Sequence, residues 1–248
     1  MKNFKFLFLA FLALPALVIT GCKNEDDTPS ETNTEVSFEF GYTVNDGDFQ
    51  VGQVYTIGGT AVQIDVLNFY VGGIELHPEE GEHTHVEGKY LLVKPDVDEY
   101  EVTEVKSGHY HEIKFFVGVA PEENSQTEED FTSRNADDPL AIQDPTMHWS
   151  WNSGYKFLRI DGKVDTDGDG TPETPMAMHL GNDDMLKNLE FPAHHDIEGD
   201  HTHLHFHFNI NELLDGIDLS TDYSTHTGDN LPLATKLRDN LSKALGLE

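Results

Sequence analysis

A chain of 248 residues with 46 acidic side chains against 15 lysines and arginines has a formal net charge of −31. Nothing in it can replace the counterions of a phosphate backbone, so nucleic acid is excluded as a partner, and the same field repels anionic lipid headgroups while it concentrates cations. The single cysteine, Cys22, excludes intrachain disulfides and thiolate clusters, so a bound metal must use imidazole, carboxylate, amide, carbonyl or thioether groups.

The N-terminus opens with Lys2 and Lys5, runs through an apolar stretch over residues 6–19 and reaches Thr20-Gly21-Cys22. A basic start, an apolar run too short to span a bilayer, and small residues at the end describe a secretory signal over residues 1–21. Cys22 stands where a lipobox places the residue that is lipidated after cleavage, which predicts a protein held at the membrane by lipid alone. Residues 22–35 are polar and acidic and lack apolar periodicity, so they read as a flexible tether. An acidic run directly after a lipidated cysteine resembles the signal that sends some lipoproteins to the outer face of the outer membrane. The expected location is the cell envelope, either periplasmic or at the outer-membrane surface.

The remaining residues, 36–248, are roughly 215 in number and suffice for one domain with its own core. Residues 36–40 alternate Val-Ser-Phe-Glu-Phe, as a half-buried strand does. Residues 51–57 and 61–70 are rich in β-branched and aromatic residues and are separated by Gly58-Gly59; residues 89–93 follow a polar loop, and 102–105 and 109–119 are further strands. Residues 121–144 are acidic and irregular, the pattern of a surface loop. Residues 149–160 read as a strand bent at Gly154, 176–180 as another, 183–189 as a helical turn or two, and 201–210 as the most strictly alternating strand of all. Leucines at helical spacing close the chain in an amphipathic helix over 231–246. Many short strands and one late helix predict an all-β fold, an antiparallel β-sandwich with a C-terminal amphipathic helix.

Fourteen histidines are unevenly spread. His83 and His85 lie in Glu80-Gly81-Glu82-His83-Thr84-His85, and His201 and His203 in the nearly identical Glu198-Gly199-Asp200-His201-Thr202-His203. The second copy continues through His205 and His207, and alternate side chains of a strand share a face. His201, His203, His205 and His207 are therefore expected on one side, with Leu204, Phe206 and Phe208 toward the core. Neighbouring imidazoles on such a face can share an ion, as can His109 and His111; imidazole suits zinc, copper, nickel and iron. The bland alternative is a polar outer face on which histidine stands in for threonine or lysine.

Both tryptophans fall in residues 147–157, where His148 precedes Trp149 and Trp151. Taken alone, two indoles on one strand face are core filling. Taken with Phe69-Tyr70-Val71-Gly72-Gly73-Ile74-Glu75-Leu76, Tyr90-Leu91-Leu92, Lys114-Phe115-Phe116-Val117-Gly118-Val119 and His179-Leu180-Gly181, the stretch Trp149-Ser150-Trp151-Asn152-Ser153-Gly154-Tyr155-Lys156-Phe157 resembles the MbnP-like family, named for the periplasmic copper-binding protein associated with methanobactin. The resemblance runs from residue 36 to about residue 219. It implies a β-sandwich and copper binding, and, as in some relatives, a tryptophan oxidised to kynurenine by a partner diheme enzyme and then enlisted as a copper ligand. The residues that match are Trp149 and Trp151, with His148 and His179 as the nearest imidazoles in sequence. The chain departs from the pattern in lacking the cysteines that some relatives carry after the His179 region and in carrying the His-x-His tracts, which leave room for zinc or several weakly held ions.

Residues 165–173 place Asp165, Asp167, Asp169 and Glu173 around Gly168 and Gly170. An EF-hand requires a Glu at its twelfth position, where Met176 stands, so that motif is excluded. A simpler calcium loop using these four carboxylates and a plain Asp-Gly hairpin turn both fit. Catalysis has little support: the chain holds no Gly-x-Ser-x-Gly elbow, no His-Glu-x-x-His and no phosphate-cradling glycine loop. The expectation is a non-enzymatic, lipid-anchored copper-binding protein that sequesters metal or hands it over, for example to a transporter. The alternatives are a zinc-binding histidine-rich surface lipoprotein, a structural or adhesive lipoprotein with incidental histidines, and a copper or zinc enzyme with an open coordination position.

Overall fold

A computed structural model describes residues 32–150 and 154–248. The stretch read as a signal, Cys22, nearly all of the stretch read as a tether, and Trp151 lie outside the described residues. In chain order the strands are β1 (Asn33–Val44), β2 (Gly47–Asp48), β3 (Val54–Ile57), β4 (Thr60–Pro78), β5 (Thr84–His85), β6 (Tyr90–Val93), β7 (Tyr100–Lys106) and β8 (Gly108–Val117). After two short helices, α1 (Pro121–Asn124) and α2 (Glu128–Thr132), come β9 (His148–Ser150), β10 (Gly154–Val164), β11 (Thr174–Gly181), β12 (Lys187–Ile197) and β13 (His201–Asn209). The chain closes with α3 (Ile210–Leu213), β14 (Ser224–His226), α4 (Leu231–Ala244) and β15 (Leu245–Leu247).

The smaller sheet has the order β15-β13-β1-β2, with β7 also on β1; the larger has β12-β8-β4-β10-β11-β14, with β3, β5 and β6 on β4 and β9 on β10. The core lies between them, because alternate residues of each strand turn the same way. Phe206 of β13 meets Phe38 and Phe40 in its own sheet and Phe115 and Phe191 from the other, with ring centroids 4.8–5.3 Å apart. The fold is the all-β sandwich with a terminal helix that the sequence pattern predicts. Among the described residues two pairings are parallel: β1 runs beside β13 in unbroken register from Glu35↔His201 to Thr43↔Asn209, and β11 runs beside β14.

Three segments differ from the sequence reading. Residues 183–189 are a single 3-10 turn (Asp183–Met185) followed by the start of β12, whose Leu189, Phe191, Ala193 and Ile197 are buried. The acidic stretch after residue 120 contains α1 and α2, the latter held by a reciprocal cap between Thr127 and Asp130. The terminal helix ends at Ala244 because Leu245 turns extended and β15 pairs with Phe206, His207 and Phe208 of β13. Upstream of that end α4 buries Leu233, Ala234, Leu237 and Leu241 on one face, as its leucine spacing dictates.

The long strand β4 sets where everything in the larger sheet stands. Its first half pairs with β10 and its second with β8, and the register shifts after Gly72. Gly73 has φ +60, and a Cβ at either Gly72 or Gly73 would run into the Phe116 ring, so only glycine permits this bend.

Candidate metal centre

His179 occupies the penultimate-but-one position of β11, paired with Arg159 of β10 on one side and His226 of β14 on the other. The two imidazoles are perpendicular, with centroids 5.0 Å apart. Asp161, two residues along β10 from Arg159, places Oδ1 2.6 Å from His179 Nε2, while its Oδ2 accepts from Arg159 Nε at 2.6 Å. A carboxylate accepts, so Nε2 carries the proton and Nδ1 keeps its lone pair. That Nδ1 is buried and, among the described residues, has no hydrogen-bond partner.

His226 is built the same way. Its Nδ1 lies 3.0 Å from Asp229 Oδ2, and Asp229 Oδ1 also accepts from the His226 backbone amide at 2.6 Å. The other ring nitrogen, Nε2, is left as an acceptor on a half-exposed side chain. Thr227 locks the two strands together: its hydroxyl donates to the His179 carbonyl at 3.1 Å and accepts from the Gly181 amide at 3.0 Å. A carboxylate behind each imidazole is the arrangement that fixes ring orientation and raises basicity in metal-ligating histidines.

Trp149 of β9 reaches the same end of β11. A Cβ built on Gly181 would lie 2.5 Å from its Cη2 and Cζ3, so the indole rests directly on the glycine. Gly181 is two residues from His179 and shares its face of the strand. Trp149 Nε1, like His179 Nδ1, is buried without a partner among the described residues. Leaving such an atom unsatisfied costs about 1–3 kcal/mol, so two at one strand end mark a place where local packing does not complete itself. His148 turns instead to the other face of β9, stacked on Phe131 at 4.2 Å and perpendicular to Tyr155 at 5.1 Å.

The charges suit a neutral, donating imidazole. Burial pushes the His179 imidazole below its ordinary pKa, and the Asp161 carboxylate opposes this without overcoming it; nearby Lys156 and His226 push the same way as burial. Burial works against ionising Asp161, yet His179 and Arg159 together hold its carboxyl below the ordinary value. Burial, with Lys156, lowers His148 as well.

The family model for MbnP matches residues 33–228. The chain belongs to the MbnP family. MbnP from Methylosinus trichosporium superposes with a TM-score of 0.57 over 79% of this chain and 83% of that chain at 17% sequence identity, which shows a common fold. No curated protein matches.

On this MbnP frame the other histidines fall into separate groups. His83 stacks on His77 at 4.8 Å, His111 approaches His77 at 6.2 Å, and Glu75 bridges His77 Nε2 (2.9 Å) and His85 Nδ1 (3.3 Å). His109 pairs with Asp196 at 2.8 Å and faces His194 at 6.1 Å. The open face of β13 carries His201, His203 and His205 beside Glu39 and Glu99, with Leu204, Phe206 and Phe208 buried behind, as the alternation predicts. His207 lies against the backbone of Gly246 in β15. The two similar hexapeptides thus end in different sheets, and among the described residues only the second contributes to a compact ligand group, His201 and His203 with Glu99.

In the acidic loop joining β10 to β11, Asp165, Asp167 and Asp169 each bring an oxygen within 4.8 Å of the others. The loop's own amides already fill Asp165: those of Asp167 and Gly168 donate to Oδ1 at 3.2 and 2.7 Å, and that of Gly170 to Oδ2 at 2.8 Å. These bonds, Gly170's foremost, hold the Asp165 carboxyl below its ordinary pKa. Glu173 stands outside the triplet; burial and the field of the three aspartates push its pKa up.

His226, Asp161 and Asp229 were not singled out by sequence reading. The only local sign was the run Thr225-His226-Thr227-Gly228-Asp229, in which a turn returns an aspartate to its own histidine.

Proposed function

We propose that this MbnP-family protein is a cell-envelope copper-binding protein that sequesters copper or hands it on, with His179 and His226 as ligands and Trp149 beside them. The observation that carries the reading is the buried His179 Nδ1, whose opposite ring nitrogen is held by Asp161 and which has no partner among the described residues. Two imidazoles without a thiolate suit copper in either common oxidation state, and affinity among divalent ions peaks at copper. The residues fit the ion that the family resemblance implies.

An intact indole donates through Nε1 and offers no lone pair there. Conversion of a tryptophan to kynurenine by a diheme partner, as in some relatives, would supply the missing donor, and Trp149 has the contact with Gly181 that supports the role. Lipid attachment at Cys22 would hold the domain at the membrane, and no helix among the described residues is long and apolar enough to cross one. A binding rather than a catalytic role is favoured by the absence from the sequence of a nucleophile elbow or a compact metalloprotease motif.

The test offers copper and zinc in competition to the purified protein and reads retained metal, melting temperature and intact mass. One tightly held copper that raises the melting temperature and is lost in His179→Gln supports the reading, since a ligand that binds only the folded state must stabilise it. Identical melting of metal-free and copper-treated protein overturns it. A small mass increase mapped to Trp149 would identify the modified residue.

A further inference from the structure

We propose a second, separate metal site on the open face of the smaller sheet, where Glu99, His201 and His203 converge to hold a divalent ion of the zinc class, with Glu39 completing the set. It lies on β13, outside the sheet that carries His179 and His226, and stands whether or not copper binds there.

His201 and His203 are alternate residues of β13 on its solvent face, and their rings lie parallel, 16° apart in plane with centroids at 4.3 Å. Because β1 runs parallel to β13 in register, Glu35, Ser37 and Glu39 come up beside His201, His203 and His205. Glu99 enters from the turn before β7. Its Oε1 stands 3.3 Å from His201 Nε2 and 3.7 Å from His203 Nδ1, and one donor atom from each of the three residues lies within 4.8 Å of the other two. At zinc bond lengths of about 2.0–2.1 Å, tetrahedral ligand atoms are roughly 3.4 Å apart. The carboxylate-to-imidazole separations therefore already have the spacing of a coordination shell.

Glu39 supplies the next oxygen. Its Oε1 is 2.8 Å from His203 Nδ1 and its Oε2 3.0 Å from His205 Nδ1, while Ser37 Oγ is 2.9 Å from His201 Nε2. Two imidazole nitrogens directed at one carboxylate oxygen, with a second carboxylate alongside, form a mixed nitrogen and oxygen set. Such a set suits borderline divalent ions more than soft monovalent copper. The side chains of His201, His203, Glu99 and Glu39 are between 33% and 40% exposed, so an ion can enter and leave without opening the fold.

The experiment uses metal-free protein expressed from the full sequence, titrated with Zn2+ by calorimetry and with Co2+ by absorption. The wild type is expected to bind one equivalent of Zn2+ at this site, and one equivalent of Co2+ there is expected to give the absorption of a tetrahedral ion. Glu99→Gln should weaken it at least about tenfold, and the double variant His201→Gln/His203→Gln should abolish it, with far-UV circular dichroism unchanged in both. His179→Gln should leave this equivalent intact, which separates its failure from failure of the copper reading. Wild-type zinc affinity in both β13 variants, or a zinc equivalent that follows His179→Gln or the pair His83→Gln and His85→Gln instead, would overturn the proposal.

Discussion

The ends of β11 and β14 and the face of β13 use the same parts, imidazoles backed by carboxylates, in opposite surroundings. At β11 the His179 ring is buried with one nitrogen tied to Asp161 and the other without a partner among the described residues. On β13 each of His201, His203 and His205 is open to water and has a Glu within 3.3 Å. Burial makes the first arrangement costly unless something completes it, whereas water can complete the second at any time. Histidine count alone therefore does not rank sites; what surrounds the spare nitrogen does.

The largest way to break this contrast is Asp161→Asn. It removes the carboxylate that orients His179, so the proposed copper site should lose roughly 10–100-fold in affinity, read by competition with a chelator, while the zinc site proposed on β13 should be unaffected. Equal copper affinity in the variant would mean that the buried pair is structural only. Gly181→Ala comes next: its new methyl group meets the Tyr155 carbonyl and the Trp149 ring, and should destabilise the metal-free protein by about 1–3 kcal/mol in urea unfolding. A neutral result would show that the indole moves aside freely.

A smaller effect is the pH dependence of the metal-free protein. Burial lowers the folded pKa of His179 and of His148, so the unfolded chain takes up those protons first on acidification. The associated stability is fully present above the unfolded value of about 6.5 and is lost as pH falls toward the folded values. Asp161, also lowered in the fold, adds a loss that begins only near the ordinary carboxylate range. Urea midpoints between pH 8 and pH 5 should decline, and His179→Gln should flatten the decline; an unchanged slope would remove His179 as its source. Smallest is Glu39→Gln on the open face, which should shift metal-free stability by less than about 1 kcal/mol, as exposed ion pairs do.

Much of the framework was legible because it is written in local periodicity. The alternation at residues 201–209 placed four histidines on one side and three apolar residues on the other, and leucine spacing located α4. What stayed hidden depends on neighbours distant in sequence. Glu39 and Glu99 gain meaning only from the β1 and β13 register and the turn before β7, and His226 only from the parallel pairing of β14 with β11. The strand β12 was obscured for another reason: Asn182 caps a turn at Asp183–Met185, and Pro192 sits within the strand, where proline normally argues against one. The resemblance carried by residues 149–157 predicted the family correctly, but Trp151 lies outside the described residues and His148 faces Phe131 and Tyr155 rather than sharing Trp149's side of the strand.

The pairing of β1 with β13 also constrains the order in which the chain can acquire its structure. The first strand of the described domain finds its in-register parallel neighbour in residues 201–209, and β13 in turn pairs with β15 at residues 245–247. Contacts between such remote segments must overcome the entropy of a closing loop before they return any stability, so a topology of this kind folds slowly. A growing chain cannot finish the smaller sheet until residues 245–247 are available, and a truncation that removes β13 would leave β1 with an open edge for another chain to occupy.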